Sequence, residues 1–360
     1  MNRREFVGVN LALLAAATLP RMALAAGSGA VDDPASYNHK FAEVNGIRMH
    51  YVEAGSGPLV ILLHGFPLLW YSWRKQIAPL AAAGYRVVVP DQRGYGQTSA
   101  PAGIEDYDVT QLVGDVVGLL QVLGEKSAVV VGWDIGTVVA THAALLRPDL
   151  FRAVVLVSSA YSLRPPVPPS AIWKNLVKDK VFYQDYFQAV GKADKEMDHD
   201  PHLTMRSALY SLSADVSPGE GWIVFFDPGD TVLENVSDPY ARKIANPRQL
   251  PDWLSQTALD YYVEQFTHSG FTPPLNWYRN FDRNWKETSF LAGALIHQPS
   301  MVVIGEEDSA LQWAKKPIDA AATTMPGLRS KVFIPKTAHM APEEDPAEFN
   351  RALIDFLGTL

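Results

Sequence analysis

Asp134 stands at the centre of Ala128–Thr137, which reads Ala-Val-Val-Val-Gly-Trp-Asp-Ile-Gly-Thr. Val129 to Val131 are β-branched and read as a buried strand, while Thr137 to Leu146 read as a helix. Gly132 and Gly136 bracket the central residue, because the turn needs backbone without a Cβ and the helix must start close against the sheet. Such a strand–turn–helix holds its central side chain out above the end of the sheet. A carboxylate is a poor choice there for cleaving esters or amides, since attack on a carbonyl gives only an unstable anhydride. Attack on a saturated carbon gives an alkyl ester, which a second step can hydrolyse. The residue type therefore points to alkyl electrophiles, either a strained epoxide or a carbon–halogen bond. Taken alone, Gly-Trp-Asp-Ile-Gly also fits a plain strand–helix junction with an N-capping Asp.

Two later stretches supply partners. Apolar runs at Ser300–Gly305 and Lys331–Ile334 read as strands, and each leads to an ionisable residue. Gly305-Glu306-Glu307-Asp308 follows the first, and Lys336-Thr337-Ala338-His339 follows the second. His339 is placed to take a proton from water, with Asp308 orienting it through its other ring nitrogen. Glu306 and Glu307 are alternatives for the acid, and strand-end phasing favours Asp308. The chain order Asp134, Asp308, His339 is nucleophile, acid, base, the order of the α/β-hydrolase triad. An ordinary surface histidine is the competing reading of His339; its place after the last strand and before a terminal helix favours the base. A further apolar strand, Leu59–Leu63, runs into His64-Gly65-Phe66-Pro67. The glycine lets the backbone turn toward the elbow, so the N–H groups of Phe66 and Ile135 are expected to form an oxyanion hole. His64 reads as a residue that holds this loop rather than as a base.

These positions need a scaffold. A hairpin around Asn45-Gly46 joins alternating strands Lys40–Val44 and Ile47–Glu53. Helices are predicted over Tyr71–Ala83 and Val109–Leu123, and strands over Arg86–Asp91 and Phe151–Ser159. Strands alternating with helices at this spacing imply an α/β fold, with a mostly parallel sheet covered on both faces. From about Leu163 to Leu295 the alternation stops: Pro165-Pro166-Val167-Pro168-Pro169 is a stiff exit into aromatic, helix-prone sequence. A helical insertion after the sixth strand would sit as a lid over the C-terminal edge of the sheet, where α/β proteins bind ligands. A closing helix is expected over Ala347–Leu360. The organisation is thus a first core part at 26–162, a cap at 163–295 and a second core part at 296–360. Arg93-Gly94-Tyr95-Gly96-Gln97-Thr98-Ser99 is glycine-rich, but it lacks the lysine of a phosphate loop and reads as a turn at the sheet end.

Composition bounds the function. The net charge of −8, with no basic run or stripe, argues against nucleic acid as a partner. With no cysteine, thiolate catalysis, disulfides and zinc–thiolate sites are excluded. No metal or organic cofactor is called for by the chemistry above. Paired arginines, Arg3 and Arg4, precede an apolar run from Phe6 to Leu19, and Ala23-Leu24-Ala25 resembles a cleavage site before Ala26. Residues 1–25 resemble a twin-arginine export signal, which implies a periplasmic protein in a bacterium. The run is too short for a confident membrane-spanning helix, although an uncleaved anchor is the competing reading. No other membrane-spanning candidate follows it.

At this point the resemblance is specific. From about Phe41 to the C-terminus the chain resembles the epoxide hydrolase branch of the α/β-hydrolase superfamily. Its cap segments Phe182-Tyr183-Gln184-Asp185-Tyr186-Phe187-Gln188 and Pro274-Leu275-Asn276-Trp277-Tyr278-Arg279-Asn280 are similar to two family segments. In that family each segment supplies a tyrosine directed at the epoxide oxygen, which carried over gives Tyr183 and Tyr278. The resemblance also makes Pro67, Trp133 and Trp277 the expected lining of the substrate pocket. It implies an apolar or aryl epoxide as substrate, a vicinal diol as product, and no cofactor. The family usually has His where this chain has Trp133, and often Trp where it has Ile135, which bears on substrate range rather than on reaction type. A haloalkane or haloacetate dehalogenase is the nearest rival, but it needs an N–H-bearing side chain where Ile135 stands. A non-catalytic exported binding protein is the rival of another class; it would have no need of His339 or of both tyrosines.

Overall fold

The β-branched runs become the middle of an eight-stranded sheet. The computed structural model describes residues 31–360 apart from 177–178, 217–224, 230, 232 and 234–245. The expected export signal lies outside the described residues. Strands β1 (His39–Val44) and β2 (Ile47–Ala54) form the predicted hairpin, with Asn45 and Gly46 both at positive φ, 45° and 76°. Then come β3 (Leu59–Leu63), β4 (Arg86–Pro90), β5 (Ala128–Trp133) and β6 (Phe151–Val157). The cap contributes a two-residue ladder, β7 (Val181–Phe182) with β8 (Phe225–Phe226), which the sequence reading did not foresee. The core resumes with β9 (Ser300–Gly305) and β10 (Leu328–Ile334). The order across the large sheet is β1-β2-β4-β3-β5-β6-β9-β10. Within this large sheet the β1–β2 and β2–β4 pairings are antiparallel, and those from β4 across to β10 are parallel. Every residue of β3, β5 and β9 is buried, as parallel strands with both faces covered require.

Helices cover those faces. Val109–Val122 is capped by Asp108, whose carboxylate accepts from the N–H groups of Thr110 and Gln111. The helix predicted over Tyr71–Ala83 starts at Arg74, because Trp70–Trp73 forms a tighter 3-10 turn that buries both tryptophans. The closing helix spans Pro346–Leu357, and the helix after the elbow spans Gly136–Leu146. Gly132 and Gly136 allow that last helix to meet the sheet. A Cβ on Gly136 would lie 2.5 Å from the His64 carbonyl oxygen, and one on Gly132 would lie 2.4 Å from that of Gly136.

Between β6 and β9 the described residues are mainly helical. The principal cap helices are Pro169–Leu176, Ala193–His199, Pro201–Ser211, Gln256–Ser269, Thr272–Arg279 and Phe281–Glu287. The cap is pinned to the core by hydrogen bonds that cross the seam. Asn280 Nδ2 donates to the Ile104 carbonyl at 2.6 Å, and the Val109 N–H donates to Asn284 Oδ1 at 2.8 Å. Trp70 Nε1 donates to the Tyr261 hydroxyl at 2.9 Å. Among the described residues no helix is long and apolar enough to cross a membrane.

Candidate active site

The C-terminal ends of the parallel strands converge on one histidine. Asp134 follows β5 with φ at +55°, a conformation a side-chain-bearing residue rarely adopts. The turn around it is over-determined: its N–H donates to Val157, while its carbonyl accepts from the N–H and the hydroxyl of Thr137. Its side chain points out of the sheet end. Oδ1 accepts from the Phe66 N–H at 2.9 Å, and Oδ2 lies 3.4 Å from His339 Nε2. Asp308, in the turn after β9, faces the other ring nitrogen, with its oxygens 3.1 and 3.2 Å from His339 Nδ1. Asp308 is buried, and its Oδ1 also accepts from the Ala310 N–H at 2.8 Å. Glu306 and Glu307, the alternatives for the acid, are exposed.

His339 is held through its backbone as well. Its N–H donates to the Leu212 carbonyl of the cap at 3.0 Å, and its own carbonyl accepts from Trp133 Nε1 at 3.0 Å. Burial opposes a charge on the ring, but the carboxylates of Asp308 and Asp134 on either side outweigh it and push the imidazole up to about 10. The resting site therefore holds an imidazolium between two carboxylates.

The two cap tyrosines lie within this neighbourhood. Tyr183 and Tyr278 are buried, with ring centroids 6.3 Å apart, and Tyr278 packs edge-on against Phe66 at 5.6 Å. Gln184 Nε2 donates to the Tyr183 hydroxyl at 2.8 Å. Burial, reinforced by the charge of Asp134, raises both phenols above their ordinary value near 10 and keeps them protonated. Phe66, Phe187 and Phe271 complete an aromatic wall beside them. Ile135 is buried and immediately precedes the helix Gly136–Leu146.

Two of the expected pocket residues are placed elsewhere. Trp133 is fully buried behind the elbow, edge-on to Trp73 at 5.3 Å, with its N–H committed to His339. It supports the base from beneath and does not line a pocket. Trp277 turns away from Tyr278: its Nε1 donates to the Arg93 carbonyl at 3.0 Å, and its ring packs on Tyr95 at 5.5 Å. It docks the cap on the Arg93 loop. Pro67 is buried, in a cis peptide with Phe66. His64 has both ring nitrogens engaged by backbone, Nδ1 donating to Gly65 and Nε2 accepting from the Gln92 N–H. Burial pushes its ring down to about 4, so it stays neutral and holds the loop. The contacts of Trp133, Leu212 and Gln184 escaped sequence reasoning, since no motif marks a side chain that serves a backbone carbonyl or another residue's hydroxyl.

Replacing Asp134 with Asn removes one of the two carboxylates that stabilise the imidazolium. In Asp134→Asn the His339 pKa is expected to fall below its wild-type value of about 10, read by ¹H–¹⁵N NMR titration of the ring. A pKa unchanged by the substitution would contradict the electrostatic account.

Comparison with known proteins agrees with this geometry. Residues 58–346 match the family described as the alpha/beta hydrolase fold. The chain is similar to Epoxide hydrolase A of Mycobacterium tuberculosis, at 42% identity over 325 residues, covering 88% of this chain and 96% of that one. It is also similar to Epoxide hydrolase 3 of Siraitia grosvenorii, at 34% identity, covering 89% and 98%. Among solved structures, Epoxide Hydrolase A from Mycobacterium thermoresistibile superposes with a TM-score of 0.82 at 42% identity, covering 89% of this chain and 98% of that one. An epoxide hydrolase from an endophytic Streptomyces superposes with a TM-score of 0.84 at 38% identity, covering 89% and 95%. With an elbow aspartate facing a histidine–aspartate pair beneath a cap, this chain belongs to the epoxide hydrolase family of the α/β-hydrolase fold.

Proposed function

We propose that this enzyme hydrolyses apolar or aryl epoxides to vicinal diols through a covalent ester on Asp134. The observation that carries this is the division of labour between the two oxygens of Asp134. Phe66 holds Oδ1, while Oδ2 faces His339 across 3.4 Å. Oδ2 attacks one epoxide carbon from the back, and the ring C–O bond breaks. Tyr183 and Tyr278 bind the ring oxygen and one of them gives it a proton. Esterification removes a negative charge from beside His339, so the imidazolium loses its proton, which replaces the one given up by the phenol. Neutral His339, oriented by Asp308, then takes a proton from water as the oxygen of that water attacks the ester carbonyl. The developing oxyanion is the oxygen that Phe66 already holds, and the Ile135 N–H, at the start of the helix, is the second donor this route assigns to it. Collapse expels the diol oxygen, which takes the hydroxyl proton of the new carboxyl, and the resting charges are restored.

No cofactor enters this balance. The dehalogenase alternative finds less support, since the indole N–H nearest the elbow, that of Trp133, is spent on the His339 carbonyl and Ile135 has none to offer a halide. The paired arginines and apolar run at the N-terminus support export to the periplasm with cleavage before Ala26. N-terminal sequencing of the protein from a periplasmic fraction checks this: Ala26 is expected first, and an intact Met1 contradicts it.

His339→Gln should form the ester and fail to hydrolyse it, so a stable adduct of enzyme plus epoxide mass accumulates on Asp134. Tyr278→Phe should instead slow ester formation by about 10²-fold and leave hydrolysis of any ester formed near the wild-type rate. Peptide mass spectrometry of rapidly quenched reactions reads both. An adduct absent from His339→Gln, or on another residue, would sink the covalent route.

A further inference from the structure

Outside the triad, one carboxylate touches both the base loop and the cap. Glu344 ends the short helix Ala341–Glu344. Its Oε2 accepts from the Ala214 N–H at 2.8 Å, and its Oε1 accepts from the Ala338 N–H at 3.1 Å, with Oε2 also 3.3 Å from that N–H. Ala338 immediately precedes His339, and Ala214 follows the cap helix Pro201–Ser211. Beside it the Leu212 carbonyl accepts from the His339 N–H at 3.0 Å. Cap and base loop are thus joined by two adjacent bridges, one of backbone and one through Glu344. Both amides can only donate, and an ionised carboxylate satisfies each at its better oxygen; a proton on Oε1 leaves Oε2 as their shared acceptor and one on Oε2 sets a donor against Ala214, so either weakens the bridge.

We propose that Glu344 is a positioning residue: while ionised it ties the cap to the base loop and fixes His339 at its working distance from Asp134. It acts through Ala338 and Ala214 and does not touch substrate. The role rests on the covalent route above, because it concerns the step in which His339 must meet water and the ester.

The surroundings make the bridge sensitive to acid. Glu344 lies at the edge of a polar cavity of about 500 Å³ whose other charged lining groups are Asp215, Asp252, Glu307 and Lys336. Asp215 is itself engaged by Trp253 Nε1 at 2.8 Å. Of these, Asp215 disfavours another negative charge on Glu344. Burial raises Glu344 most, the N–H groups of Ala214 and Ala338 and, more weakly, Met340 hold it down in part, and Asp215 raises it further, leaving it at about 7 against an ordinary 4.5. The bridge is therefore at full strength above neutrality and weakens as the pH falls through about 7.

Glu344→Gln keeps the size of the side chain and turns one acceptor into a donor. In single-turnover reactions at pH 8, ester formation on Asp134 should change by less than about threefold, while ester hydrolysis should slow by roughly tenfold to a hundredfold. The acid limb of wild-type hydrolysis near pH 7 should become shallower in Glu344→Gln and persist in Glu344→Asp, which keeps the charge. A melting temperature near that of the wild type would show that both variants fold. Equal loss of both steps, or wild-type hydrolysis with a wild-type pH profile in Glu344→Gln, would overturn the assignment. Normal ester chemistry with unaffected decay would overturn it alone; a wild type that forms no ester would overturn it together with the covalent route.

Discussion

The site turns on one imidazole held between two carboxylates. His339 is buried, and a buried cation is costly unless it is paired on the spot. Asp308 pairs it from one side and Asp134 from the other, so the proton on the ring depends on the charge state of the nucleophile. In the proposed covalent route this coupling orders the reaction in time. While Asp134 is a free carboxylate, its charge keeps His339 protonated and unable to act as a base. Once Asp134 is esterified, one partner is gone and the ring becomes a base, at the moment when a base is needed. The rest of the fold keeps these three groups at their separations: β5, β9 and the loop after β10 deliver them to one end of the sheet, and Trp133 and Leu212 fix the base by its backbone.

In the proposed route the cap adds the acid half of the chemistry and a reason for it to be dry. Tyr183 and Tyr278 are buried among Phe66, Phe187 and Phe271, which keeps their protons on and excludes water that would solvate the epoxide oxygen in their place. Placement of the phenols depends on how the cap sits, and the cap is set by hydrogen bonds across the seam, from Trp277 to Arg93 and from Asn280 to Ile104. The same seam carries the bond between Leu212 and His339, so cap position and base position are parts of one network.

The sequence made local features legible where a residue type is forced by backbone geometry. Gly132 and Gly136 marked the elbow because any side chain there would collide with backbone, and the apolar strands marked the sheet because both of its faces are covered. Direction of side chains was harder to read. Trp277 and Tyr278 are neighbours on one helix turn, separated by about 100° around its axis, so one faces the core loop while the other faces the aromatic wall. Trp133 precedes a residue at positive φ, and its ring turns back under His339 in place of lining a pocket. Glu344 was invisible for a different reason: its partners are backbone amides, which every sequence contains, and only the folded chain brings Ala214 beside Ala338.

The covalent ester on Asp134 is the central claim, and isotope transfer tests it most directly. A single turnover of an aryl epoxide by excess enzyme in ¹⁸O-labelled water separates the two sources of the diol oxygen. If Asp134 is the nucleophile, the label enters the Asp134 carboxylate and the first diol formed carries none, because its new oxygen came from the enzyme. Label found at once in the diol, with none in Asp134, would mean that water attacks the epoxide directly and would contradict the account.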